Sequence, residues 1–124
     1  MTVTGIDHVQ VAAPRGCEDQ ARAFYGGLLR LEELPKPEAL RANGGCWFRA
    51  GSQELHVGVE EPFAPARKAH PGLVVADLAG LAERLAAAGI AVAWDESIAG
   101  TKRFHAADPF GNRLEFRQGD PPPL

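Results

Sequence analysis

The chain is poor in the residues that would mark it as a disulfide scaffold, a membrane protein or a nucleic-acid binder. Its 124 residues include 2 cysteines, 1 methionine and 1 tyrosine. Cys17 and Cys46 are too few and too far apart for a disulfide framework or a cysteine-rich zinc site. Both thiols are expected to be reduced, in the cytoplasm. An excess of positive charge is also missing: the formal net charge is -3 and the pI about 5.8, which argues against nucleic-acid or membrane-surface partners. No apolar run approaches the roughly 18 residues a membrane helix needs. The opening MTVTGIDHVQ has no basic stretch followed by an apolar one, so no secretory signal is expected. What is present is ordinary for a single globular domain: 45% hydrophobic and 23% charged residues, enough to build a core.

Patterning predicts an α+β chain. Gly5 to Ala13 alternates with β-branched residues, a strand signal. Cys17, Ala21, Phe24, Tyr25 and Leu28 fall at helical spacing, with Gly26-Gly27 marking the exit. Strands follow near 31–34, 46–50 and 54–59. Residues 60–69 (EEPFAPARKA) hold two prolines and no periodicity, and read as a connector. The order then restarts: a strand at 70–75, an N-cap at Asp77, an apolar helix stripe of Leu78, Leu81, Leu85 and Ala88 closed by Gly89, and strands at 90–94, 103–107 and 113–117. The tail, Asp120 to Leu124 with three prolines, is expected to be extended or disordered.

The two halves match. WFRAG (47–51) resembles RFHAA (103–107), Leu55-His56 corresponds to Leu114-Glu115, and His8 corresponds to His70. A repeat of about sixty residues in two copies is not a solenoid. It reads as a duplicated βαβββ module: module one at 5–59, connector 60–69, module two at 70–117 and a tail from 118. Each module is expected to form a curved mixed sheet whose apolar side packs on its own helix, leaving the concave side free.

Side-chain alternation then selects candidate functional residues. His8 shares a face with Ile6 and Gln10, opposite Val9 and Val11. His56 lies opposite Leu55 and Val57, and Glu115 opposite Leu114 and Phe116. If the apolar sides face the helices, His8, His56 and Glu115 point into the concavity, and His70 joins them by the repeat. Imidazoles and a carboxylate from separate strands suit a divalent transition metal: Zn, Ni, Co, Mn or Fe(II). The stretch DPFGNRLEF (108–116) supplies Glu115 directly after a turn built from Asp, Pro, Gly and Asn.

Together, IDHVQVA, LHVGVEEP, HPGLVVADL and DPFGNRLEF resemble the vicinal oxygen chelate superfamily, which includes glyoxalase I, extradiol dioxygenases, fosfomycin-modifying enzymes and bleomycin-resistance proteins. The resemblance runs from Gly5 to Arg117. It implies a glyoxalase-like fold of tandem modules around a metal-containing cavity, with His8, His56, His70 and Glu115 as metal ligands. It also implies a metal-dependent, isomerase- or lyase-like enzyme in which the metal chelates neighbouring oxygens of a small substrate. The alternatives are a non-catalytic drug- or metabolite-binding protein and a small Fe(II) extradiol-type dioxygenase. His56 stands where glyoxalases usually carry a glutamate, so Glu115 is the one carboxylate of the set and the candidate base. The resemblance further implies a homodimer, in which a short chain often joins module one to module two of its partner.

Candidate substrate contacts are Gln10, Trp47, Arg49, Arg103 and His105. Arg49 and Arg103 could hold a carboxylate or phosphate, or could pair with nearby acids. Residues 36–43 could form a flap over the site or an ordinary surface loop.

Overall fold

A computed structural model describes residues 2–119. The proline-rich tail lies outside the described residues. The chain divides into two compact units, residues 1–65 and 66–124, and the division falls inside the expected connector.

In the first unit, β1 (His8–Ala13) leads into α1 (Glu18–Ala21), which continues as a π-helical segment, Arg22–Leu28. β2 (Glu32–Leu34), a 3-10 helix (Glu38–Asn43), β3 (Cys46–Ala50) and β4 (Gln53–Val59) follow. The sheet order is β1-β4-β3-β2, with β1 parallel to β4 and the other pairs antiparallel. Its core is most of the stripe expected from the sequence: Cys17, Ala21, Phe24 and Tyr25 are buried along with Phe48, Leu55 and Val57 of the strands, and Leu28 at the end of the stripe is half-buried. The Tyr25 and Phe48 rings meet with centroids 5.7 Å apart. The helical turns run past Gly26-Gly27 to Leu28, so the glycines do not end them.

Gly45 is required where the chain enters β3. Its φ is +88°, and a Cβ there would lie 2.0 Å from the Val57 carbonyl oxygen. Glu18 fastens the same point, accepting the Gly45 N–H at 2.6 Å. That hydrogen bond holds the Glu18 carboxyl below its ordinary range.

The second unit repeats the plan. β5 (Gly72–Val75), α2 (Leu78–Ala87), β6 (Ala93–Asp95), β7 (Arg103–Ala107) and β8 (Arg113–Gln118) form a sheet of order β5-β8-β7-β6, with β5 parallel to β8. Asp77 caps α2 as expected, its side chain accepting the Gly80 N–H at 3.0 Å. The helix buries Leu78, Leu81, Ala82 and Leu85; Ala88 belongs outside the stripe, because it is the exposed C-cap. These residues share a core with Phe104, Ala106, Leu114 and Phe116. Truncating a leucine as buried as Leu85 to alanine costs about 2–5 kcal/mol.

Several boundaries move for physical reasons. β5 begins at Gly72 rather than residue 70, since Pro71 has no N–H to give the ladder; its carbonyl accepts the Glu115 N–H at 3.1 Å. β1 begins at His8 rather than Gly5, β6 at Ala93 rather than Ile90, and Gln118 belongs to β8 rather than the tail.

Strand register also corrects the repeat alignment. Trp47 lies opposite His56, and His105 opposite Glu115. Trp47 is therefore the equivalent of His105, not of Arg103 as the WFRAG–RFHAA match suggests. Gln10 pairs with His56 and Gly72 with Glu115, which makes His8 the equivalent of His70, as expected.

Candidate metal centre

The second unit places Glu115 through the turn that precedes it. Asp108 is buried, and its Oδ1 accepts the N–H groups of Phe110 and Asn112 at 2.9 and 2.8 Å, while Oδ2 accepts the Asn112 side-chain amide at 2.9 Å. Gly111 supplies the positive φ of 90° that the turn needs. With β7 and β8 locked in register, Leu114 and Phe116 enter the core and Glu115 takes the opposite face of the sheet, as alternation requires.

Four side chains converge on that carboxylate. Glu115 Oε1 lies 3.2 Å from His70 Nε2, 3.5 Å from His105 Nε2 and 3.1 Å from Arg103 Nη1, and Oε2 lies 3.5 Å from Arg117 Nε. The Glu115 and His105 side chains are 10% and 12% exposed, and that of His70 27%. Burial pushes the Glu115 carboxyl up, but the neighbouring His70 and the Arg103 guanidinium together outweigh it and hold the group below the usual carboxylate range. Arg103 is anchored from behind: its Nη2 donates to Asp95 Oδ2 at 2.9 Å and to Ser97 Oγ at 3.1 Å.

The first unit carries a different arrangement at the equivalent positions. Trp47 and His56 stack face to face, with centroids 4.0 Å apart and planes 1° from parallel. His8 stacks on the same imidazole at 4.2 Å and 17°. His56 Nε2 meets Glu54 Oε1 at 2.9 Å, and His8 Nδ1 meets Asp7 Oδ2 at 2.9 Å. Gln10 lies opposite His56 in register. Arg49 is exposed on β3. A cleft of about 520 Å³ adjoins the stack, lined by Gln10, Lys36, Asn43, Trp47, Val59 and Glu61 among others.

The structure thus brings His70 together with Glu115, and His8 together with His56, as the sequence suggests. It also brings Arg103 and His105, expected as substrate contacts, directly onto Glu115. Sequence reasoning missed Asp95, the counter-charge of Arg103. The sequence carried no signal for it, because Asp95 meets Arg103 only through strand pairing.

The donor set in the second unit fits a metal ion. The nitrogens of His70 and His105 and a Glu115 oxygen all lie within 4.8 Å of one another. His70 Nδ1 is 2.8 Å from the Lys68 carbonyl oxygen. A carbonyl only accepts, so Nδ1 carries the hydrogen and a neutral ring presents the bare Nε2 lone pair to Glu115. A lone pair facing a carboxylate oxygen needs a proton or a cation between them. His105 Nε2 is buried and has no hydrogen-bond partner.

No family-level sequence profile and no curated protein sequence matches the chain. Solved structures do. A glyoxalase family protein from Bacillus anthracis is 50% identical over 97% of this chain and 98% of its own, with a TM-score of 0.92. The chain belongs to the glyoxalase family. It shares the fold of the vicinal oxygen chelate superfamily more widely. A lactoylglutathione lyase from Agrobacterium tumefaciens matches at 23% identity and a TM-score of 0.73, over 96% of both chains. The fosfomycin resistance protein FosX from Listeria monocytogenes matches at 13% identity and 0.76, over 95% of both. Among the described residues of this glyoxalase-family chain, no helix is long and apolar enough to cross a membrane.

Proposed function

We propose that this chain is a metal-dependent enzyme of the glyoxalase type, isomerase- or lyase-like, acting on a small, oxygen-rich and anionic substrate. The observation that carries the reading is the pairing of His70 with Glu115 at 3.2 Å, at positions that strand register equates with His8 and His56. The proposed ligands are those four residues. A bound divalent ion supplies Lewis-acid stabilisation of charge developing on substrate oxygens. Glu115 accepts the proton removed from the neighbouring carbon, its carboxylate kept oriented by Arg103 on Oε1. Trp47 and Gln10 flank the first-unit cleft, and the exposed Arg49 offers a fork for a carboxylate or phosphate.

The protein is proposed to work in the cytoplasm, which agrees with its two free, buried thiols. It is proposed to be a homodimer. β1 and β5 are edge strands of their sheets, and Val9 and Val74 on them are 38% and 77% exposed. Sedimentation of the metal-loaded protein should give a dimer, and a monomer at micromolar concentration contradicts this.

Solvent-exchange NMR tests the chemistry. Metal-loaded protein in D₂O, offered a panel of small hydroxycarbonyl and keto acids, should catalyse deuterium uptake next to the carbonyl of at least one member. Binding of a member with no exchange above the metal-free protein would point instead to sequestration without catalysis.

A further inference from the structure

We infer that His105 is a further metal ligand, so that the second unit carries a two-histidine, one-carboxylate set of its own: His70, His105 and Glu115. The inference rests on the reading above that the chain holds a metal, and it assigns to that ion a ligand from β7.

Three observations lead there independently. The first is geometric: the two imidazole nitrogens and the Glu115 oxygen lie within 4.8 Å of one another, close enough for one ion to reach all three after small side-chain movements. The second is the state of His105 itself. Its Nε2 is buried without a hydrogen-bond partner, and Glu115 Oε1 lies 3.5 Å away. A buried ring nitrogen left unpaired is unfavourable by about 1–3 kcal/mol. The rings of His70 and His105 meet edge to face at 5.7 Å, which places the two ligating rings side by side.

The third observation is the difference between the two halves. At the position equivalent to His105 the first unit has Trp47, which lies flat on His56. A ring that only needed to fill space has a working solution on the same scaffold. The second unit has a smaller ring with a ligating nitrogen, aimed at the carboxylate.

Arg103 does not close the site. Asp95 meets its charge and, with Ser97, holds its Nη2, so its Nη1 needs only one of the lone pairs on Glu115 Oε1. A two-histidine, one-carboxylate set suits divalent iron, cobalt, nickel, zinc or manganese and leaves coordination positions open.

Cobalt(II) titration of the full-length apoprotein tests this, with X-ray absorption counting the imidazoles on the bound ion. His105→Phe should weaken Co(II) binding by about tenfold or more and remove one imidazole from the count. His105→Gln, which keeps a polar end, should do the same and serves if the phenylalanine variant does not fold. His8→Ala/His56→Ala should still bind Co(II) through the second unit. If both His105 variants hold Co(II) within twofold of wild type with an unchanged imidazole count, His105 is not a ligand, while the metal reading stands. If the wild-type apoprotein takes up no Co(II), the inference and the reading it rests on both fall.

Discussion

The two units share one backbone plan and line its open face with different side chains. In the first, Trp47, His56 and His8 form a stack of flat rings, edged by Glu54 and Asp7. In the second, the equivalents of those rings are His105, Glu115 and His70, and arginines crowd the carboxylate from two sides. The cause is a few residues. Replacing an imidazole by a carboxylate at the centre of the face changes what its neighbours must supply, from stacking partners to cationic and hydrogen-bonding ones. A duplicated scaffold can therefore keep strand order, register and core while its two open faces diverge.

The largest effect should come from the residue that most separates the halves. Glu115→Gln keeps the shape and one oxygen donor but removes the proposed base. With metal content matched to wild type, it should lose roughly 10²-fold or more in kcat with little change in substrate binding. Normal turnover by the metal-loaded variant would make Glu115 a structural ligand only.

The hairpins that present the two faces come next. β7–β8 is turned by the buried Asp108, whereas β3–β4 is turned by Gly51 at a φ of 64°, with open space around it. Asp108→Ala strands buried donors and should cost about 3 kcal/mol. Gly51→Ala meets only the conformational penalty and should cost about 1 kcal/mol. Denaturant melts compare them, and equal losses would mean the Asp108 hydrogen bonds contribute nothing beyond chain conformation.

Acid should separate the halves more gently. Glu115 is held below its usual range in the folded chain, so its contribution is full above the unfolded carboxylate value near 4.3. The contribution is lost as pH falls through the lower, folded value. Each unit carries one tryptophan, Trp47 and Trp94, so single-tryptophan variants can report on each by fluorescence. In the presence of a chelator, Glu115→Gln should flatten the acid dependence seen at Trp94; the same acid slope in variant and wild type would remove Glu115 as its cause. The smallest effect is on the thiols. Burial, reinforced by Glu18, pushes Cys17 up to about 11, and burial raises Cys46 as well. Neither should alkylate at about pH 8, near the ordinary thiol range, until the chain unfolds, and fast labelling of native protein would contradict their placement.

Much of this was legible in the sequence because alternation and turn chemistry are local. Asp108, Gly111 and Asn112 announce the turn, and Leu114 and Phe116 then dictate which way Glu115 faces. The restart at residue 70 reveals the duplication. The neighbour of Glu115 on β7 was not legible. A shift of two residues preserves sidedness, so pattern alone accepts Arg103 or His105 as the match for Trp47. Register decides, and it depends on hydrogen-bonded pairing across the sheet. The π-helical turns at Arg22–Leu28 were hidden for a similar reason, since apolar spacing there is also compatible with an α-helix.

The proposed function stands or falls with a divalent metal on Glu115 and its imidazole neighbours. Elemental analysis of protein purified without an affinity tag tests it most directly, on wild type and on His8→Ala/Glu115→Ala. The account predicts about one divalent transition metal per chain in wild type and a large loss in the double variant. Full occupancy in the double variant, or a wild type that takes up no metal when offered Zn, Ni, Co, Mn or Fe(II), would contradict it.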